Sequence, residues 1–137
     1  MKFSTISGAS TLFCILTPVT GLRGVHGMIP VPNPNREFRY NCPNGASYTE
    51  AELSQKVLFA RQFMHPDKPD YQYPIVFDAF RYGITGELWY YPMIDGSGPY
   101  DYVVFNTENR VVGAISSTYD AEGREMAEPC DLTYLNR

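Results

Sequence analysis

Histidine is almost missing from this chain, with two residues in 137. Tryptophan occurs once and cysteine three times. Two histidines and three cysteines do not make the usual nitrogen and sulfur ligand set of a metal centre. Basic residues are also short: 11 Lys and Arg stand against 15 Asp and Glu, a net charge of −4. That is a poor match for a polyanion, whose binding rests on neutralising phosphates. Any nucleic-acid site would have to be local and lean on stacking. Long apolar runs are absent as well. The clearest, Leu12-Phe13-Cys14-Ile15-Leu16, falls far below the about 20 residues needed to span a bilayer. Gly96-Ser97-Gly98 leads into Pro99 and a strand-like run rather than a helix, so it does not form a phosphate-cradling loop. Serines are plentiful, but no histidine is placed to activate one.

What is present at the N-terminus reads as an export signal. Lys2 supplies the positive end, the short apolar stretch follows, and small residues stand at cleavage spacing around Gly21 or Gly27. The expected organisation is a signal peptide over 1–21, cleaved as late as 27, an extended proline-rich arm over 28–36, and one domain over 37–137. Cleavage removes Cys14 and leaves two cysteines. An even pair in an exported domain implies one bridge, Cys42 to Cys130. From residue 28 onward nine Lys and Arg face fifteen Asp and Glu, so the mature domain is near −6.

Along that domain, Met28 to Arg36 carries prolines at alternate positions and reads as an extended, mobile arm. Phe38 to Cys42 alternates as a short strand would. Thr49-Glu50-Ala51-Glu52 is a capping box. Leu53, Val57, Ala60 and Met64 then recur at helical spacing, which predicts a helix over 50–63 that His65-Pro66 terminates. Strands are expected over 73–80, 86–91, 102–106 and 110–116, the last two joined by the turn Thr107-Glu108-Asn109. Beyond Thr118 the chain reads as polar until Pro129-Cys130. One helix followed by a run of strands is an α+β pattern, a helix packed on an antiparallel sheet.

Tyrosines crowd the second half: Tyr71, Tyr73, Tyr82, Tyr90, Tyr91, Tyr100 and Tyr102. They serve either to fill a small core or to form a recognition surface. His26 lies at the cleavage zone, and His65 at a helix C-terminus, where the dipole favours an imidazolium without any substrate.

Several short motifs occur in a telling order: Tyr40-Asn41-Cys42, the capped helix, Tyr73-Pro74, Tyr90-Tyr91-Pro92, Val103-Val104-Phe105-Asn106, Val112-Gly113-Ala114-Ile115 and a late Cys130. Over about residues 40–130 this order resembles the small fungal guanyl-specific ribonucleases. A Tyr-x-Cys shortly after a signal peptide resembles, more narrowly, the RNase-like secreted effectors of powdery mildew fungi. The resemblance implies a microbial ribonuclease-like fold, with one helix on a twisted antiparallel sheet.

It also implies where catalysis would sit. The family's histidine after Tyr-Pro falls on Ile75, and its glutamate two residues before the strand proline on Tyr90. Its arginine falls on Tyr102 and its acid histidine on Ser117. Base, acid and cation are all replaced, so the resemblance implies a pseudo-ribonuclease that uses no cofactor or metal. Glu87 is the nearest substitute base, but strand alternation turns it away from positions 88 and 90. The expected remnant is a former substrate cleft lined by Tyr73, Ile75, Tyr90, Tyr102 and Ser117, with Tyr73, Tyr90, Tyr102 and Ser117 as binding candidates. On this reading the chain is secreted and translocated into plant cells, is a monomer with no membrane partner, and binds host proteins or host RNA. Intracellular immune receptors of the host are among the implied partners. An active guanyl-preferring ribonuclease and an apoplastic binding protein are the alternatives.

Overall fold

The computed structural model describes residues 27–94 and 100–135. The expected signal peptide, Cys14, His26 and the loop 95–99 lie outside the described residues. The order is β1 (Phe38–Asn41), β2 (Ser47–Thr49), α1 (Glu50–Arg61), β3 (Ile75–Val76), β4 (Leu88–Pro92), β5 (Tyr100–Asn106), β6 (Val111–Tyr119), β7 (Glu125–Pro129) and β8 (Asp131–Tyr134). A five-stranded antiparallel sheet runs β3-β4-β5-β6-β7, and a three-stranded one runs β2-β1-β8. The α+β class and, among the described residues, the single helix match the sequence reading.

The helix begins where the capping box predicts. The Thr49 hydroxyl accepts from the Glu52 backbone N–H at 3.2 Å, and the Glu52 carboxylate accepts from the Thr49 N–H at 2.8 Å. This reciprocal pair satisfies two donors that the first turn leaves open, worth about 1 kcal/mol. Leu53, Val57 and Ala60 are fully buried against the sheet. They meet Tyr91, Met93, Val103, Phe105 and Ala114 from its inner face and Phe38, Tyr40 and Tyr48 from the smaller sheet. Burial of each such aliphatic side chain stabilises by roughly 1.5–3 kcal/mol.

Strand alternation builds a second cluster on the opposite face. Leu88, Tyr102, Val104, Val112 and Ile115 point there and pack with Phe77 and Tyr82. This face is covered by the proline-rich arm, which was expected to be mobile and is anchored instead. Ile29 donates to Arg81 O at 2.8 Å and accepts from Gly83 N at 3.0 Å. Pro32 is fully buried and its carbonyl accepts from Arg110 Nη2 at 3.0 Å. The Arg36 guanidinium sits 4.0 Å from the centre of the Tyr134 ring. A half-buried apolar pair, Ile29 and Val31, holds down what sequence alone reads as a free proline segment.

Two fastenings join the sheets. Cys42 and Cys130 form a disulfide, as expected, across 88 positions of sequence. The buried carboxylate of Asp101 accepts from Tyr48 Oη at 2.6 Å, Ser116 Oγ at 2.7 Å and Asn44 Nδ2 at 2.9 Å. Three neutral donors, from the β1–β2 turn, β2 and β6, thus converge on the start of β5. Burial, and then this hydrogen bond to Asp101, push the Tyr48 phenol up.

Four strands depart from the expectation. The expected strand 73–80 shrinks to Ile75–Val76, since the chain turns into the loop that buries Phe77 and Tyr82. β7 forms where polar chain was expected, and β2 and β8 are further short additions. Glu125 to Pro129 pairs with Ile115 to Tyr119 after a turn in which Gly123 takes φ 82°. Among the described residues, no helix is long and apolar enough to cross a membrane.

Candidate functional site

The outer face of the larger sheet holds an open cleft of about 510 Å³. Its floor comes from β4, β5 and β6, which supply Tyr90, Tyr102, Ile115 and Ser117. Tyr73, Val76, Phe77, Asp78 and Ala79 form one wall, and Glu125 and Ala127 of β7 form the other. The register explains the convergence. Tyr90 stands opposite Val104, Tyr102 opposite Ile115 and Ser117 opposite Ala127 across successive ladders.

All four binding candidates, Tyr73, Tyr90, Tyr102 and Ser117, therefore meet in one place. Ile75, expected as a fifth lining residue, does not line the cleft. It pairs with Tyr90 through the backbone, while Val76 and Phe77 take the wall. Glu87 precedes β4, is exposed and lies outside the cleft. His65 is exposed after the helix in a separate hollow with Arg61, Lys68, Asp70 and Trp89.

The three tyrosines touch one another. The ring centres of Tyr90 and Tyr102 are 5.2 Å apart at 71°. Those of Tyr73 and Tyr90 are 5.5 Å apart at 82°, and those of Tyr73 and Tyr102 are 5.8 Å apart at 35°. The two edge-to-face contacts, Tyr90–Tyr102 and Tyr73–Tyr90, each add about 0.5–1.5 kcal/mol beyond the area they bury. Phe77 extends the cluster, 5.6 Å from Tyr90. Tyr102 is nearly buried, whereas Tyr73 and Tyr90 are half-buried and form the accessible wall and floor. Burial pushes the Tyr102 phenol up, followed by its neighbour Tyr73 and the Glu125 carboxylate. Burial raises Tyr90 too, with Tyr73, Glu125 and Asp78 contributing. Both phenols stay neutral and sense the same carboxylate.

Two carboxylates of the cleft, Asp78 and Glu125, escape sequence reasoning. Ser117 Oγ donates to Glu125 Oε2, so the side chain at the expected acid position is engaged by a group from the neighbouring strand. Glu125 was hidden because the chain after Thr118 reads as polar loop. The available signal was the Asp120-Ala121-Glu122-Gly123 turn followed by five residues able to return along β6. None of the described lining residues is Lys, Arg or His. The arrangement offers aromatic faces, hydroxyls and carboxylate acceptors.

No protein-family model, curated protein or solved structure matches this chain.

Proposed function

We propose that this chain is a secreted, ribonuclease-like protein that acts by binding rather than by cutting RNA, as an effector delivered by a fungus into plant cells. One observation carries the non-catalytic part. Tyr90 and Tyr102 occupy two of the positions where the resembled family keeps catalytic groups, and with Tyr73 they pack into a mutual aromatic cluster. RNA transesterification needs a base at the 2′-hydroxyl, an acid at the leaving oxygen and a cation for the phosphoryl charge. Neutral phenols pushed up by burial are poor at all three. The order of motifs and the Cys42–Cys130 bridge support the scaffold; the N-terminal signal pattern supports export.

The test is direct. Purified, oxidised protein is incubated with guanosine-containing RNA. The expected outcome is no cleavage above a Tyr90→Ala, Glu125→Gln double variant. Guanosine-specific cleavage that disappears on Glu125→Gln, Glu87→Gln or His65→Ala would overturn the proposal. The specific feature that favours an active enzyme as the second reading is Glu125, a carboxylate on the cleft wall bonded to Ser117. Delivery is tested separately by locating the tagged mature chain in infected tissue; retention in the apoplast refutes it.

A further inference from the structure

The cleft is polarised in a way that selects its ligand. Its wall residues Asp78 and Glu125 are acidic, and no cation stands among the described lining residues. The nearest basic residue in sequence is Arg124, and it is tied elsewhere. Its Nε donates to Asp120 Oδ2 at 2.9 Å and its Nη2 to Glu122 Oε1 at 2.7 Å. Ser117, a neutral donor, is the bonded neighbour of Glu125 in the cleft. A phosphodiester entering here would meet two carboxylates and aromatic faces, all of them electron-rich. A cation would meet the opposite. Ring faces attract positive charge, and a planar guanidinium can stack on a phenol while its N–H edges reach carboxylates on either side.

We infer that this cleft receives the guanidinium of an arginine side chain presented by a protein partner, with Tyr73 and Tyr90 as the stacking surface and Asp78 and Glu125 as the flanking acceptors. The inference rests on the reading of the chain as a binding protein and names the partner chemistry of that site. A protein, rather than a free small cation, suits the rim. Val76 on the cleft wall is 45% exposed, apolar surface that a polypeptide around the arginine would cover. The acidic net charge of −4 steers basic surfaces toward the molecule before contact. The volume of about 510 Å³ is within the usual range of ligand clefts and leaves room for a guanidinium and the side chain that carries it.

The experiment titrates the isotope-labelled, disulfide-intact chain with three probes, read by chemical-shift change. They are a capped tripeptide with central arginine, the same peptide with uncharged citrulline, and a short single-stranded RNA. The arginine peptide is expected to move resonances of Tyr73, Tyr90 and Glu125. Citrulline should bind at least about tenfold more weakly, since it keeps the shape and loses the charge. Asp78→Asn and Glu125→Gln, both at exposed positions, should each weaken the arginine peptide about threefold or more while leaving the rest of the spectrum in place. Equal binding of arginine and citrulline peptides, no movement of cleft resonances by arginine, or tighter occupation of the same resonances by RNA overturns the inference. Failure here with no RNA cleavage refutes the ligand class alone. RNA cleavage in the separate assay refutes the binding-protein reading itself.

Discussion

Gly113 offers a sharp test of how the outer face is packed. A Cβ at this position would lie 2.6 Å from Tyr82 Cε1, 2.7 Å from its hydroxyl oxygen and 2.8 Å from Cζ. Carbon atoms pack best at about 3.5–4.0 Å, so the ring would have to retreat by about 1 Å. It has little room to do so. Tyr82 is 4% exposed, its ring lies 6.1 Å from that of Phe77, and its backbone is bridged to Ile29. Gly113 itself is fixed opposite Val104 in the middle of the sheet. Overpacking of this kind costs about 1–3 kcal/mol. Reduced freedom of the unfolded chain returns about 0.4–1 kcal/mol of that for Gly→Ala. Gly113→Ala should therefore destabilise by about 1–2 kcal/mol in urea denaturation of the oxidised protein. Each kcal/mol should lower the Tm by about 4–8 °C for a domain of this size. Tyr82→Phe alone should be near neutral or slightly stabilising, because the buried hydroxyl has no hydrogen-bond partner among the described residues. It leaves Cε1 and Cζ in place, so Gly113→Ala should remain costly in that background. A Gly113→Ala protein within about 0.5 kcal/mol of the parent would refute the packing argument.

Replacing Cys42 and Cys130 together by serine opens a loop of 88 positions and should cost roughly 4–5 kcal/mol by the chain-entropy relation, read as a drop in the urea midpoint. Asp101→Ala strands the Tyr48 and Ser116 hydroxyls and the Asn44 amide, and should cost about 3–5 kcal/mol in the same assay. Alkali should unfold the protein. Burial raises the phenols of Tyr40, Tyr82 and Tyr102 above their ordinary 10.0. The unfolded chain therefore releases those protons first, and stability that is complete below about pH 10 is lost as pH climbs beyond it. Phenolate absorbance and circular dichroism should change together; phenols that all titrate near 10 without loss of structure would refute this.

Local chemistry made part of this molecule readable. The Thr49–Glu52 box and the Leu53, Val57, Ala60 stripe mark the helix because both are short-range patterns that tertiary context reinforces. The pair Cys42 and Cys130 was legible once the expected signal peptide takes Cys14 out of the count. That Tyr90, Tyr102 and Ser117 share one face was implied by the resemblance to the ribonucleases, and alternation along β4, β5 and β6 is what brings them there. The rest depended on partners remote in sequence. Glu125-Met126-Ala127-Glu128-Pro129 has little intrinsic strand preference and becomes a strand by pairing with β6, which is how Glu125 enters the cleft unseen. The arm around Ile29 and Pro32 is ordered by Tyr82, Gly83 and Arg110, which no local pattern links to it.

Alternation along β4 and β5 has a consequence for how such a surface changes. Tyr91, Val103 and Phe105 look toward the helix, while their chain neighbours Tyr90, Tyr102 and Val104 look toward the other layer. Two vocabularies are thus interleaved in the same few residues, one spelling the helix-side framework and one spelling the cleft. Tyr90 packs with the cleft-side cluster, so substitutions there can change the cleft while leaving the helix-side core in place, whereas Tyr73 touches both layers and ties the two together.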